Sequence, residues 1–333
     1  MTETEDLTFY TDKHIEYVTK SAQEKDTLTS VVTAHLKMSG IYWGYSTLMM
    51  LNAEDNLSRD ELLEFILSSQ NEDGGFGGSK GHDSHILYTL SAIQLLSMLR
   101  ALDKIDSMKV LNFILPLIKE DGSVMGDRYG EIDARFSYCC VQTLYLLRLP
   151  KSPQEYINID VMSKYIAKCQ NIDGGFGNII GSESHAGMCF VCVAALSIMN
   201  TLNYINIDKL SWWIGQRQVD SGGLNGRPEK QADLCYSWWA LSVLDIIGRM
   251  KAINSSKLLE YILRCQDPLH GGLSDRPNDE VDVYHTYFGI TGLNMLGFLK
   301  EHNIPYKEID PSYALPKWVL NELNLHPQTI PEH

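Results

Sequence analysis

The 333-residue chain is 44% hydrophobic and 21% charged, with 25 glycines and a net charge of −14. This composition suits one large core or two ordinary ones and excludes disordered, collagen-like and low-complexity chains. The acidic balance argues against nucleic-acid binding, because phosphates select basic faces, and leaves an anionic ligand dependent on a local cationic pocket.

The opening Met1-Thr-Glu-Thr-Glu-Asp6 lacks the basic start and apolar run of a signal peptide, and about residues 1–25 read as an N-terminal extension. From residue 41 a helical pattern takes over. Apolar segments at roughly 41–51, 84–100, 132–148, 184–203, 232–249 and 283–297 alternate with amphipathic ones at roughly 59–69, 106–118, 158–169, 207–217, 255–265 and 314–323. Strand alternation is almost missing, so the chain reads as all-α. The longest apolar stretch, around Met188 to Met199, is too short for the ~20 residues of a membrane span. Seven cysteines, an odd number without a small disulfide scaffold, fit a reduced, cytoplasmic setting.

A repeat links these segments. Gln70-Asn-Glu-Asp-Gly-Gly-Phe76 returns as Gln170-Asn-Ile-Asp-Gly-Gly-Phe176, then as Gln218-Val-Asp-Ser-Gly-Gly-Leu224 and, with one insertion, Gln266-Asp-Pro-Leu-His-Gly-Gly-Leu273. Glu120-Asp-Gly-Ser-Val124 is a degraded copy. The first glycines, Gly74, Gly122, Gly174, Gly222 and Gly271, are spaced 48, 52, 48 and 49 residues apart. The repeats span about 55–100, 105–148, 155–203, 207–249 and 255–300. All-round apolar helices belong inside and amphipathic ones outside. Neither end of the chain has the polar caps an open solenoid wants. The expectation is one α/α barrel or toroid of six inner and six outer helices across residues 1–333, with one set of loops on one rim.

Eleven residues beyond each first glycine lie His85, Asp133, His185, Asp233 and Asp282, at the entrances to the inner helices. Aspartate there also suits a plain N-cap, whereas histidine is a poorer one. The last two repeats bring Asp233, Cys235 and His285 to similar depth on neighbouring helices. Carboxylate, thiolate and imidazole are good zinc ligands, and three of them leave a fourth position open. Asp-x-Cys alone would mean little beyond a buried structural cysteine; the phase of His285 favours zinc. Arg227 and Lys230 in Gly222-Gly-Leu-Asn-Gly-Arg-Pro-Glu-Lys230, with His185 and Tyr236, converge as cations and donors for an anion such as a phosphate. Interior aromatics, including Tyr42, Trp43, Tyr88, Phe136, Trp238, Trp239, Tyr287 and Phe288, suit core filling or a long apolar ligand.

Ser39-Gly-Ile-Tyr-Trp-Gly44, Gly130-Glu-Ile-Asp-Ala-Arg-Phe136, Gly181-Ser-Glu-Ser-His-Ala-Gly187, Asp233-Leu-Cys-Tyr-Ser-Trp-Trp239 and Asp282-Val-Tyr-His-Thr286 complete the motif set. With the Gly222–Lys230 loop they resemble the β subunits of protein prenyltransferases, most closely the Rab-type enzymes, geranylgeranyltransferase type II. The resemblance implies an α/α toroid and zinc held by Asp233, Cys235 and His285. It implies donor-binding residues at His185, Arg227, Lys230 and Tyr236, with Trp239 close by; Arg135, two residues beyond Asp133 on the rim, is a further substrate-binding candidate. Tyr236 would also join the zinc ligands in catalysis. It further implies an α subunit, a Rab escort protein, Rab GTPases as substrates and geranylgeranyl diphosphate as donor. Asp275 matches a position that binds magnesium beside the diphosphate in farnesyltransferase-like relatives; magnesium is left open here. Ser39 and Leu90 match pocket-floor positions and are expected at the closed end of the cavity, smaller than the aromatic that would stop a 15-carbon chain. The rivals are farnesyltransferase or type I geranylgeranyltransferase β subunits, terpene cyclases, whose DxDD and DDxxD signatures are missing, and a non-enzymatic helical scaffold.

Overall fold

The computed structural model describes residues 8–23 and 32–332, so the acidic opening segment lies outside it. Six inner helices alternate with the outer wall: α2 (Lys37–Met50), α4 (Ile86–Met98), α6 (Ala134–Leu146), α8 (Ala186–Ile198), α10 (Cys235–Ile246) and α12 (Val283–Met295). Each packs on the next, and α12 packs back on α2, which closes the ring. A closed toroid is therefore the architecture, and an open solenoid is not.

The outer helices α3 (Arg59–Ser68), α5 (Ser107–Ile114), α7 (Ile159–Lys168), α9 (Ile207–Gly215) and α11 (Ser255–Arg264) bury one stripe each. Their starts are fixed by capping side chains: Ser58, Asp106, Asn158, Asn206 and Asn254 each accept a first-turn backbone N–H. Backbone bonds then lock the inner helices in phase. Met38, Ile86, Ala134, Ala186 and Leu234 donate their N–H groups to Gly78, Gly126, Asn178, Gly226 and Asp275, at 2.7–2.9 Å. Five of the six inner helices, α2, α4, α6, α8 and α10, thus start against the glycine loop of the following repeat.

The sixth outer helix is not where the periodicity puts it. It is α1 (Thr11–Gln23), from the segment expected as an extension, and it packs on α2 and α12. In the fourth repeat, Gly222 at φ +90 has no room for a Cβ because the Lys257 carbonyl of the next outer helix lies against it. At Gly271, φ +78, the carbonyl in that place belongs to Lys13 of α1. The ring's last outer helix therefore comes from the beginning of the chain. The amphipathic stretch at 314–323, expected as that helix, yields the short α14 (Lys317–Leu323), which follows α13 (Phe298–Glu301) and the hairpin β3 (Ile309–Asp310) and β4 (Leu315–Pro316). This segment closes one end of the barrel. The Tyr313 carbonyl accepts from Gln94 and Gln142, Ser312 from the Tyr138 hydroxyl, and Ala314 from the Tyr42 hydroxyl at 2.6 Å. Among the described residues no helix is long and apolar enough to cross a membrane.

His14 is the buried pin of the α1 joint. Its Nδ1 accepts from Gly272 N–H at 2.9 Å, and its Nε2 lies 2.9 Å from Gln266 Oε1. With a backbone donor on Nδ1, the neutral ring carries its proton on Nε2. Burial pulls His14 down from 6.5 to about 4, against the hydrogen bond to Gln266 and the nearby Asp267. Between those values the unfolded chain binds more protons than the folded one. The contribution of His14 is therefore fully present above pH 6.5 and is lost as pH falls towards 4, with a ceiling on the order of 3 kcal/mol. The hydrogen-exchange protection of residues 11–23, taken relative to the intrinsic rate at each pH, should fall as pH drops across this window, and His14→Asn should remove most of that fall. Equal acid sensitivity in both proteins would mean that another group unfastens α1.

Candidate metal and anion site

Asp233, Cys235 and His285 meet where α10 and α12 begin. One ligand atom from each lies within 4.8 Å of the other two. Asp233 Oδ1 accepts the Cys235 N–H at 2.8 Å, which bends the carboxylate back beside the thiol. His285 Nε2 lies 3.3 Å from Asp233 Oδ1. The antiparallel pair β1 (Leu273–Ser274) and β2 (Val281–Asp282) delivers Asp282 to the head of α12. Asp282 has two tasks. It caps α12 by accepting the His285 N–H at 2.8 Å, and its other oxygen sits 2.6 Å from His285 Nδ1. That carboxylate fixes the ring and turns Nε2 towards Asp233 and Cys235, the arrangement found behind metal-bound histidines. Asp-x-x-His carries this signal in the sequence, where spacing alone marks Asp282 only as a rim residue or cap.

The electrostatics fit a cation. Burial raises the Asp233 carboxyl, but hydrogen bonding to His285 and Cys235 prevails and holds it below its usual value. Burial and the Asp233 charge push the Cys235 thiol well up. Burial opposes the charged form of His285, yet the carboxylates of Asp233 and Asp282 raise it to about 9. Carboxylate, thiolate and imidazole donors in this arrangement suit zinc, and a cation there would reverse the pressure on Cys235.

The anion-binding candidates stand one helix along. His85 and His185 act as N-caps although histidine is a poorer cap than aspartate: their Nδ1 atoms accept from Leu87 and Gly187 N–H at 3.2 and 3.1 Å. Nε2 of neutral His185 is therefore the protonated nitrogen, and it lies 3.2 Å from the Tyr236 hydroxyl. Burial, reinforced by Arg227, lowers the His185 pKa. Arg227 pairs with Glu183, a partner unforeseen from the sequence. The Lys230 ammonium has no partner among the described residues. Arg135 stands apart, held at the head of α6 by two 2.9 Å bonds from its guanidinium to Asp133. Asp275 is likewise engaged by Arg276.

Behind these groups runs a chain of ring contacts, Phe190–Trp239–Phe288–Tyr284–Trp43, with centroids 4.6–5.3 Å apart. Ser39 and Leu90 do not form a floor at the closed end. Ser39 lies in the first turn of α2 and Leu90 at the start of the second turn of α4, towards the mouth, where Ser39 Oγ bonds Ser91 Oγ at 3.2 Å. The floor is built instead by later turns of α4 and α6 and the 309–316 hairpin. In a ring of six, α2 and α4 stand opposite α8 and α10. Ser39 and Leu90 thus belong to the wall facing His185 and Tyr236.

A family model described as the prenyltransferase alpha-alpha toroid domain matches residues 9–315. The chain belongs to the prenyltransferase family. It is 42% identical over 265 residues to the geranylgeranyl transferase type-2 subunit beta of Saccharomyces cerevisiae, covering 78% of this chain and 81% of that protein. The type-2 subunit beta 1 of Arabidopsis thaliana is 49% identical over 256 residues, covering 77% and 78%. A solved Candida albicans protein geranylgeranyltransferase-I, complexed with GGPP, superposes with TM-score 0.82 over 95% of this chain and 98% of that one. At 21% identity that is a likeness of fold. As a prenyltransferase chain this protein is an enzyme component, and the scaffold reading falls away.

A Cβ on Gly226 would run into the Tyr236 phenol. Gly226→Ala should therefore displace Tyr236 from His185 and destabilise the fold by about 1–3 kcal/mol, the usual cost of overpacking. Denaturant unfolding checks this, and a wild-type midpoint would contradict so close an approach.

Proposed function

We propose that this chain is the catalytic β subunit of a zinc-dependent protein geranylgeranyltransferase of type II, working in the cytoplasm as a heterodimer with an α subunit. The reaction transfers a geranylgeranyl group from geranylgeranyl diphosphate to C-terminal cysteines of Rab-type GTPases presented by an escort protein. The observation that carries this reading is the Asp233–Cys235–His285 triad beside the His185–Tyr236 pair, whose tyrosine shares α10 with Cys235, with an aromatic wall behind both.

Asp233, Cys235 and His285 would hold the zinc, with Asp282 orienting His285. Zinc bound there supplies a lowered thiol pKa to the substrate cysteine. The remaining work falls to the chain's own groups. Arg227 and Lys230 attract the diphosphate, while the Nε2–H of His185 and the Tyr236 hydroxyl donate to its oxygens. As the new S–C1 bond forms and the C1–O bond breaks, these donors stabilise charge on the leaving diphosphate. Trp239 and its neighbours cover the prenyl chain and exclude water. Cys235 is a ligand and is not itself prenylated.

Replacing a ligand separates metal from fold. Cys235→Ala should lose bound zinc and transfer activity while keeping wild-type helicity by circular dichroism, because the ring does not depend on that thiol. A variant with stoichiometric zinc and normal turnover would overturn the assignment.

Donor length should depend on the wall facing the cations. A diphosphate at α8 and α10 directs its chain across the mouth towards Ser39 and Leu90. Ser39→Tyr with Leu90→Trp should fill that space, favouring the C15 donor over C20 by tenfold or more, in line with ~1–3 kcal/mol for overpacking. Transfer rates with both donors at matched concentration measure this. Undiminished C20 preference would place the chain's end elsewhere.

A further inference from the structure

Beneath the loop that carries Arg227 and Lys230 lie two buried side chains, Arg217 and Asn225, each with an unpartnered polar atom that the equivalent residues of the other described repeats do not have. At one repeated backbone bond, Gly77 donates to Ser69, Met125 to Leu117, Gly177 to Cys169 and Ser274 to Cys265. In the cation-bearing repeat the same bond runs from Asn225 N–H to the Arg217 carbonyl, at 2.9 Å. Arg217 is 6% exposed and Asn225 4%. Arg217 Nη1 and Asn225 Oδ1 are both buried without a hydrogen-bond partner. A buried polar atom without a partner carries a desolvation penalty that serine, leucine or cysteine at the Arg217 position avoids. A polar pair so costly in one repeat calls for a gain in that repeat.

The geometry shows the gain. Asn225 Nδ2 donates to the Lys230 carbonyl at 2.9 Å. Asn225 also bridges to Ala232, so one buried residue ties down both ends of the 226–231 loop. Within the loop, Glu229 holds a left-handed φ of +63, which gives the chain little freedom to choose its own path. Arg217 is the seat. Its guanidinium stacks 4.5 Å from the Trp213 ring centroid, and its Nε donates to the Trp213 carbonyl at 3.3 Å. Asn225 thus hangs from a fixed point at the end of α9.

We infer that Asn225, seated on Arg217, is a positioning residue that sets Arg227 and Lys230 to receive the diphosphate. This rests on the anion reading given above. The test is calorimetric titration with inorganic pyrophosphate, with zinc content and thermal midpoint measured in parallel. Asn225→Gly imports the residue that Gly77 and Gly177 provide elsewhere, so the fold should persist; Asn225→Ser, which imports the residue found at Ser274, is the second variant. Each should weaken pyrophosphate binding about tenfold, with zinc content and midpoint near wild type. Because Asn225 acts through the loop cations, Asn225→Gly should cost clearly less in a Lys230→Ala background. If both Asn225 variants bind like wild type while Lys230→Ala is weakened, the positioning role is wrong and the anion site stands. A full, undiminished cost in the Lys230→Ala background also overturns it. If Arg227→Ala and Lys230→Ala both bind like wild type, the anion reading fails and takes this inference with it.

Discussion

The backbone bond that ties the heads of five of the six inner helices to the next repeat's glycine loop governs the rest of the molecule. It occurs five times at 2.7–2.9 Å among the described residues, and each time it sets where an inner helix begins relative to its neighbour. A slip of one residue would turn every rim side chain by about 100°, because an α-helix has 3.6 residues per turn. The bond from Leu234 to Asp275 therefore decides that Asp233 and Cys235 start α10 at the depth where His285 starts α12. The bond from Ala186 to Gly226 brings the cationic loop beside His185 and Tyr236 in the same way. Chemistry on this rim is a consequence of repeat register.

The rim is also divided by the identity of single residues. In register with Cys235, the second repeat carries Arg135, whose guanidinium is committed to Asp133. The first inner helix carries Ser39 at that place, bonded to Ser91. One framework thus offers a thiol, a paired guanidinium and a hydroxyl at three points of one circle. Only the thiol has a carboxylate and an imidazole beside it. An acidic protein can still gather cations in this way, because a few charges facing one concave mouth matter more to an anion than the net charge of the surface.

Much of this is legible in the sequence, and the exceptions have more than one cause. The glycine spacing predicts the inner helices, the lack of polar caps at the chain ends predicts a closed ring, and counting from each glycine finds the triad and His185. Two of the exceptions arise where no glycine pair precedes the segment. Ser39 follows no such pair, so its depth has no ruler, and the expectation of a closed-end position gives way to one near the mouth. Thr11–Gln23 belongs to the loop around Gly271, and that contact joins the two ends of the chain. Local amphipathicity cannot separate α1 from α14, because both bury one stripe, one against the ring and the other beneath it. The capping by His85 and His185 is also hidden. It depends on Nδ1 reaching a backbone N–H two residues ahead, which general cap preferences do not show. The roles of Asp282 and Glu183 escape a reading by motif because each acts on another side chain and carries no motif of its own.

The central claim, that repeat register builds one metal site from Asp233, Cys235 and His285, is tested most directly by anomalous diffraction at the zinc edge. Crystals of the purified protein grown with zinc and soaked free of excess should show one strong peak bonded to the Asp233 carboxylate, Cys235 Sγ and His285 Nε2, at about 2.0–2.3 Å. The six other cysteines are buried and offer no comparable donor set among the described residues. A zinc peak bonded elsewhere, or a clean map at this triad with full occupancy at another site, would contradict the account.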